Sequence, residues 1–175
     1  MRVIAGEFRS RKLKSIPGVA TRPTPDRLRE TLFDILQTRM EGAVFVDAYA
    51  GTGAVGIEAL SRGARHAFFL ERNRAALEAI RENLAALHLE SRATVLTGPV
   101  ILTLARCQAD LVFLDPPYDQ EREYAAALEL LAQTPPSLVI VQHAVRFPLE
   151  QEYSGLRRTR ILKQGDNALS FYAKN

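Results

Sequence analysis

The chain of 175 residues has the length of one domain, and its 47% hydrophobic and 25% charged residues are typical of an ordinary soluble globular protein. Its single cysteine, Cys107, excludes a disulfide framework and a cysteine-rich zinc site and indicates a reducing compartment. The first twelve residues lack the apolar stretch of a secretory signal, and no apolar run approaches the ~20 residues that cross a bilayer. We therefore expect a cytoplasmic protein that binds neither membrane nor metal.

The net charge of +3 is unevenly distributed along the chain. Residues 1–25 contain six basic side chains and one acidic one, and residues 157–175 contain five and one. The segment between them has an excess of acidic residues. Basic ends around an acidic middle favour a polyanion as partner, with a merely solvated charged tail as the alternative.

The N-terminal part is predicted to form a hairpin followed by a linker. Residues 2–5 and 11–15 have the pattern of short strands around a polar turn, and residues 17–23 have breakers at both ends. Thr24 and Pro25 are typical of a helix start, and a helix then extends to about Met40. We divide the chain into a basic N-terminal hairpin or arm, residues 1–23, and a main domain, residues 24–175.

The main domain alternates short apolar strands with helices. Such alternation predicts an α/β fold with a mostly parallel sheet covered by helices on both faces. A final hairpin around the turn at residues 165–167 completes a predicted sheet of seven strands. The predicted strands are 43–46, 67–70, 94–96, 111–114, 138–141, 158–162 and 169–172, and the predicted helices are 54–62, one capped by Asn73, 100–107 and 120–132.

A glycine-rich loop follows the first strand of the main domain. Gly51, Gly53 and Gly56 form a complete G-x-G-x-x-G motif, and Glu71 follows Gly51 by 20 residues. The glycines allow close approach of a ligand, and the carboxylate can accept two ribose hydroxyls. The motif predicts a nucleoside cofactor, with a purely structural strand–turn–helix as the alternative. On this motif alone, an NAD-dependent dehydrogenase is also open.

Asp47 precedes the first glycine by four residues. A carboxylate at this position would repel the pyrophosphate of a dinucleotide, whereas it would attract a cationic ligand. The ammonium and sulfonium groups of S-adenosylmethionine are such cations. The alternative is an aspartate that caps the loop.

The sequence Asp115-Pro116-Pro117-Tyr118 follows a predicted buried strand, at the sheet edge where such folds bind ligands. Two prolines remove two amide donors and leave carbonyl oxygens beside a carboxylate. These acceptors match an amino group on a planar ring, on which Tyr118 can stack. A strand-ending turn with a surface tyrosine is the alternative.

With these motifs, the chain resembles the bacterial RsmD-type methyltransferases, which modify N2 of guanine in small-subunit ribosomal RNA. The resemblance covers nearly the whole chain. It is carried by residues 2–9, 22–24, 26–27, 29–33, 56–64, 113–118 and 165–166. The segment 56–64, Gly-Ile-Glu-Ala-Leu-Ser-Arg-Gly-Ala, and the N-terminal segment are its more specific parts.

The resemblance implies a Rossmann-like methyltransferase fold, S-adenosylmethionine as cofactor and 16S ribosomal RNA as partner, in the assembling or assembled 30S subunit. Residues 24–175 would be the catalytic domain. Asp115, Pro116, Pro117 and Tyr118 would hold the target base. The candidate cofactor residues are Asp47, Tyr49, Ala50, Gly51, Thr52, Gly53, Glu71, Arg72, Asn73 and Gly98, and the candidate RNA-binding residues are Arg9, Arg11, Lys12, Lys14, Arg22 and Arg27.

Two positions depart from the pattern of the family. Pro99 stands where an aspartate often contacts the adenine amine, and Gln142 stands where a strand usually ends in glutamate.

Three other functions are alternatives to the expected one. A DNA adenine-N6 methyltransferase would need a target-recognition region, for which the 57 residues after Tyr118 leave little room. A dehydrogenase would need neither Asp47 nor Asp115, and a non-catalytic RNA-binding module would transfer no methyl group.

Overall fold

The computed structural model describes residues 1–16, 25–117 and 120–175. The predicted linker 17–23 and the predicted site residues Arg22 and Tyr118 lie outside the described residues. The helices are α1 (Asp26–Met40), α2 (Ala54–Ser61), α3 (Arg74–Ala86), α4 (Val100–Leu104) and α5 (Glu121–Gln133). The strands are β1 (Val44–Ala48), β2 (His66–Glu71), β3 (Ala93–Thr97), β4 (Leu111–Leu114), β5 (Leu138–Ala144), β6 (Glu152–Tyr153), β7 (Leu156–Gln164) and β8 (Asn167–Lys174). These strands form one sheet in the order β3-β2-β1-β4-β5-β8-β7-β6.

The predicted α/β class is confirmed, but the number of strands is eight in the described sheet and not seven. Strands β1 to β5 are parallel, and β8, β7 and β6 add to β5 as an antiparallel extension. The strand that was not predicted is β6, which pairs only two residues with β7. A strand of two residues is too short to show alternation in the sequence.

The central strands β1, β4 and β5 are buried because helices cover both faces of the sheet. On one face, α1, α2 and α3 pack with Val3 and Leu13 of the N-terminal segment against alternate residues such as Phe45 and Phe113. On the other face, α4 and α5 pack against Val46 and the residues that share its side of the sheet. Every residue of β1, β4 and β5 is therefore buried. Within the described ranges, no helix has the length and apolar character needed to span a membrane.

The predicted N-terminal hairpin is present in a short form, with one antiparallel bridge between Arg2 and Lys12. The Val3 amide donates to the Arg11 carbonyl and the Leu13 amide to the Met1 carbonyl, both at 3.0 Å. Regular strands at 2–5 and 11–15 do not form, because the amides that follow Val3 bind α2 and not the facing segment. The amides of Ile4 and Ala5 donate to the buried Glu58 carboxylate of α2, at 2.8 and 3.0 Å. The amide of Glu7 donates to the Ser61 carbonyl, at 2.8 Å. Residues 1–14 thus lie on α2 instead of projecting from it.

Candidate functional site

The candidate cofactor residues meet at the carboxyl ends of neighbouring parallel strands. β1 lies between β2 and β4 in the sheet, so the loops that follow these strands are adjacent. The glycine loop follows β1, the acidic Glu71 ends β2, and Asp115 follows β4. This edge of an open α/β sheet, where connections leave in opposite directions, is the usual ligand site of such folds.

The glycine loop has a backbone that only glycine adopts easily. Gly51 and Gly53 have φ angles of +56° and +79°, in the left-handed region. A Cβ on Gly51 would meet no atom within 4 Å, which leaves open space for a ligand beside the loop. Gly56 has a different reason, because a Cβ there would lie 2.4 Å from the Phe69 ring. The first glycine of the motif thus leaves room for a ligand, whereas Gly56 allows α2 to pack on β2.

Three side chains hold this loop in place. The Asp47 carboxylate accepts a hydrogen bond from the Gly56 amide at 2.8 Å, and the Glu71 carboxylate accepts one from the Gly51 amide at 2.9 Å. The side-chain amide of Asn83, on α3, donates to the Thr52 carbonyl at 3.1 Å. The loop is therefore fixed before any ligand binds, which lowers the entropy cost of binding.

Asp47 is almost completely buried at the end of β1, with 2% of its surface exposed. Burial raises the pKa of its carboxyl group well above the usual range, and the nearby Asp115 and Glu71 add to the rise. The Gly56 amide opposes the rise by donating to the ionised form. This bond matches the capping role that the sequence left open. A cation beside the loop would relieve the repulsion among the three acidic groups.

The other candidate cofactor residues surround the glycine loop. The second oxygen of Glu71 accepts from the amides of Arg72 and Asn73, both at 2.8 Å. The Asn73 side chain caps α3 through the Ala76 amide at 3.1 Å, as predicted for a helix start. Gly98 donates its amide to the Glu71 carbonyl at 3.2 Å. Tyr49 donates its hydroxyl to Glu123 at 2.5 Å, and the Ala50 amide donates to the Leu70 carbonyl at 3.0 Å.

Asp115 begins the second loop of the site. Its side chain is partly buried, and burial raises the pKa of its carboxyl group to about 7. Pro116 is buried and Pro117 is exposed. The Pro116 carbonyl accepts the Tyr124 hydroxyl at 3.3 Å, so a residue of α5 fixes the orientation of this acceptor. Since Leu114 pairs with Val141, the buried Gln142 follows on the neighbouring strand, at the level of Asp115.

The candidate RNA-binding residues of the N-terminal segment are exposed, but they do not all lie at this edge. Arg9 belongs to the turn beside Ser61, at the end of α2, and Arg11 donates to the Ala86 carbonyl at the end of α3, at 3.3 Å. Both helices begin at the carboxyl edge of the sheet and end at the opposite edge. Lys12 is exposed beside the bridge to Arg2. Two candidates lie closer to the site: Arg27 in the first turn of α1, and Lys14, which is paired with Glu82 at 2.5 Å.

Sequence reasoning missed the buried polar residues Glu58 and Asn83. Both sit among apolar neighbours of amphipathic or buried helices, as Asn83 does between Ile80 and Leu84. A polar residue at an apolar helix position was the available signal, because a buried polar group needs hydrogen-bond partners. Within the described residues, no group of three or more potential ligands could hold a metal ion.

Comparison with known proteins identifies a family to which the chain is similar over nearly its whole length. Residues 1–173 match the protein family described as Conserved hypothetical protein 95. The chain is 32% identical to "Putative rRNA methyltransferase YlbH" of Bacillus subtilis, over 99% of both proteins. It is 40% identical to "Ribosomal RNA small subunit methyltransferase D" of Escherichia coli K12, over 67% of this chain and 60% of that protein.

A solved structure from Escherichia coli has the same fold over nearly the whole length. It is described as "Putative methyltransferase yhhF" and superposes with a TM-score of 0.85. The alignment covers 100% of this chain and 98% of the other, with 31% identical residues. The correspondence therefore includes the N-terminal segment and the antiparallel strands as well as the parallel part of the sheet.

Proposed function

Because the chain belongs to the family described as Conserved hypothetical protein 95, that of the RsmD-type methyltransferases, we propose that it methylates the exocyclic N2 of a guanine in 16S ribosomal RNA. The methyl donor is S-adenosylmethionine. The observation that carries the proposal is the juxtaposition of two loops: a glycine loop open to a ligand, and the Asp115 loop beside it with acceptors for an amino group.

The residues around the glycine loop fit the methyl donor. The open space at Gly51 admits the donor against the backbone, and Glu71 lies at the loop to accept ribose hydroxyls. The acidic groups Asp47, Glu71 and Asp115 favour a ligand that carries positive charge. When bound, the donor supplies a methyl group on a positively charged sulfur. The chain supplies the orientation, which by itself can contribute ~7–11 kcal/mol to catalysis.

The Asp115 loop fits an amino group on a planar base. A guanine N2 has two hydrogens and a lone pair that is delocalised into the ring, so it is a weak nucleophile. If the Asp115 carboxylate and the Pro116 carbonyl each accept one hydrogen, the lone pair turns toward the methyl group. The carbonyl has a second lone pair for this bond, since its first partner is the Tyr124 hydroxyl.

Asp115 also fits the role of proton acceptor. After methyl transfer the nitrogen carries one proton in excess, which passes to Asp115 or to water. A pKa of about 7, raised by burial, makes this carboxylate a better base at neutral pH than an exposed aspartate. No covalent intermediate with the protein is needed in this reaction.

The substrate has to present an unstacked base to this edge of the sheet. Removing a base from its stack costs a few kcal/mol, and an exposed RNA loop lowers this cost. Arg9, Arg11, Lys12, Lys14 and Arg27 are the described cations that we propose to contact the RNA backbone. We further propose that the substrate is encountered in the cytoplasm, as free 16S RNA or within the 30S subunit.

The proposal is tested by mapping the product. The protein is incubated with labelled S-adenosylmethionine and 16S RNA, both free and in 30S subunits, from cells that lack the gene. We expect the label in a single guanosine of the RNA, which is recovered as N2-methylguanosine. Label in N6-methyladenine would support a DNA-type amino-methyltransferase instead, and retention of NAD without methyl transfer would support a dehydrogenase.

A further inference from the structure

The N-terminal segment and the glycine loop are joined through one side chain, that of Asn83. This residue lies on α3 with 3% of its surface exposed. Its side-chain oxygen accepts the Lys14 amide at 2.6 Å, and its side-chain nitrogen donates to the Lys14 carbonyl at 3.2 Å. The same nitrogen donates to the Thr52 carbonyl at 3.1 Å. Asn83 thus binds both backbone groups of one residue outside the sheet and one carbonyl of the cofactor loop.

The loop needs such a contact because its own backbone is permissive. Thr52 stands between Gly51 and Gly53, and both glycines have positive φ angles. Glycine allows many conformations, so a loop of this kind depends on side chains to hold one of them. Asp47 and Glu71 bind the amides of Gly56 and Gly51, whereas Asn83 binds the carbonyl between the two glycines.

The other end of the contact is a rigid part of the N-terminal segment. Leu13, the residue before Lys14, is buried, and its amide donates to the Met1 carbonyl at 3.0 Å. Gly6 lies so close to Ser61 that a Cβ would be 1.9 Å from its carbonyl oxygen. The segment therefore sits in one place on α2 and α3, and a shift at Lys14 is transmitted to Asn83 instead of being absorbed.

We propose that Asn83 is a positioning residue that couples the N-terminal basic segment to the cofactor loop, so that RNA and S-adenosylmethionine bind with positive cooperativity. Bound S-adenosylmethionine fixes the Thr52 carbonyl, which in turn fixes the Asn83 side chain through their hydrogen bond. Asn83 then fixes Lys14 and the basic residues that precede it. By linkage, RNA on the segment must improve donor binding by the same factor. This inference rests on the proposed function, since it takes the donor to lie at the glycine loop and the RNA on the basic segment.

The first experiment needs no RNA. The Lys14 amide hydrogen is donated to Asn83, so its exchange with deuterium reports the contact directly. In the wild-type protein, S-adenosylhomocysteine is expected to slow this exchange about 5-fold, at the low end of typical coupling. In Asn83→Ala the ligand should leave the exchange of Lys14 unchanged. An unchanged Lys14 exchange in the wild-type protein with bound ligand overturns the inference.

Two further variants separate coupling from folding. Asn83→Asp keeps an acceptor for the Lys14 amide but has no N–H for Thr52, so Lys14 stays protected while its response to the ligand disappears. Glu82→Ala removes the ion pair of Lys14 and leaves Asn83 intact, so it should respond as the wild type does. If Asn83→Asp responds like Glu82→Ala, the hydrogen bond to Thr52 does not carry the coupling.

The second experiment measures the coupling factor with both ligands. The affinity for S-adenosylhomocysteine is measured with and without unmodified 16S RNA, and the affinity for RNA with and without S-adenosylhomocysteine. We expect the same factor of about 5 in both directions for the wild type and Glu82→Ala, and a factor near 1 for both Asn83 variants. Full coupling in the Asn83 variants overturns the inference while product mapping still supports the proposed function. If the wild type binds no S-adenosylhomocysteine, the proposed function fails and the inference with it.

Discussion

The loops after β1 and β4 lie side by side, and they differ in how the protein treats their acidic residues. Asp47, at the end of β1, accepts the Gly56 amide and is almost completely buried. Asp115, after β4, is only partly buried, and desolvation is the cause of its raised pKa of about 7. The first carboxylate organises the backbone of its own loop. We propose a chemical role for the second, because a basic group that titrates near neutrality can exchange a proton there.

The described parts of the two loops are also braced by different groups. Side chains from three elements, Asp47, Glu71 and Asn83, bind the backbone of the glycine loop. The Asp115 loop is fixed by its prolines and by the Tyr124 hydroxyl on the Pro116 carbonyl. A loop that binds the same cofactor in every turnover gains from being preformed. Substitutions in the two loops should therefore affect different steps.

The largest expected effect is that of Asp115→Ala on methyl transfer. The substitution removes the proposed acceptor of an N2 hydrogen, and removal of one such hydrogen bond costs ~10²–10³ in rate, by analogy with oxyanion-hole donors. The affinity for S-adenosylhomocysteine should change little. Single-turnover kinetics and calorimetry measure the two quantities, with Asp34→Ala, an exposed acidic residue of α1, as control. Turnover close to that of the wild type would contradict the role of Asp115.

Glu71→Ala should show the opposite pattern. Hydrogen bonds to a charged group contribute about 1.5–3 kcal/mol, so the affinity for S-adenosylhomocysteine should fall roughly 10–100-fold. The rate at saturating donor should fall less. Glu78→Ala is the matched control, because its carboxylate pairs with Arg74 on the exposed side of the next helix. An unchanged affinity in Glu71→Ala would argue against the ribose contact.

The pH dependence of the rate tests the proton-accepting role of Asp115. Only the ionised carboxylate accepts both the hydrogen bond and the proton, so the rate should rise up to tenfold per pH unit below about 7 and level off above it. Asp115→Asn should lose this inflection while Asp34→Asn keeps it. A wild-type rate that is flat between pH 5 and 9 contradicts this role.

The raised pKa of Asp115 also makes the stability of the folded protein depend on pH. The folded protein binds the proton of Asp115 more tightly than the unfolded chain, whose aspartate titrates near 3.8. The stability that this proton contributes is complete below pH 3.8 and is lost as the pH rises through about 7. Thermal unfolding at pH 8 should therefore show Asp115→Asn to be more stable than the wild type, and the difference should shrink toward pH 4.

The sequence predicted the local elements that carry the candidate site because their signals are local. The glycine spacing, the strand before Asp115 and the cap at Asn73 each lie within a few neighbouring residues, and the structure has all three. The placement of residues 1–14 was not predictable in this way. It depends on Glu58 and Asn83, which are more than 50 positions away along the chain. A hairpin was the best local interpretation, and its pairing is present only near Arg2 and Lys12, since buried long-range acceptors bind the amides of Ile4, Ala5 and Lys14.

The smallest expected effect concerns the exposed cations of the N-terminal segment. Deleting residues 1–15 would be a poor test, because it leaves the buried Glu58 without the amides of Ile4 and Ala5. Changing Arg9, Arg11 and Lys12 together to glutamine removes charge and keeps the docked backbone. For each phosphate that these side chains neutralise in the wild type, the substitution should reduce the log–log salt slope of RNA affinity by about 0.7–0.9. Because these side chains lie toward the far ends of α2 and α3, the affinity for S-adenosylhomocysteine without RNA should remain that of the wild type.

A control with Arg39, Arg65 and Arg106 changed to glutamine removes the same charge elsewhere. Equal salt slopes for the two triple variants would show that the N-terminal cations act only through net charge.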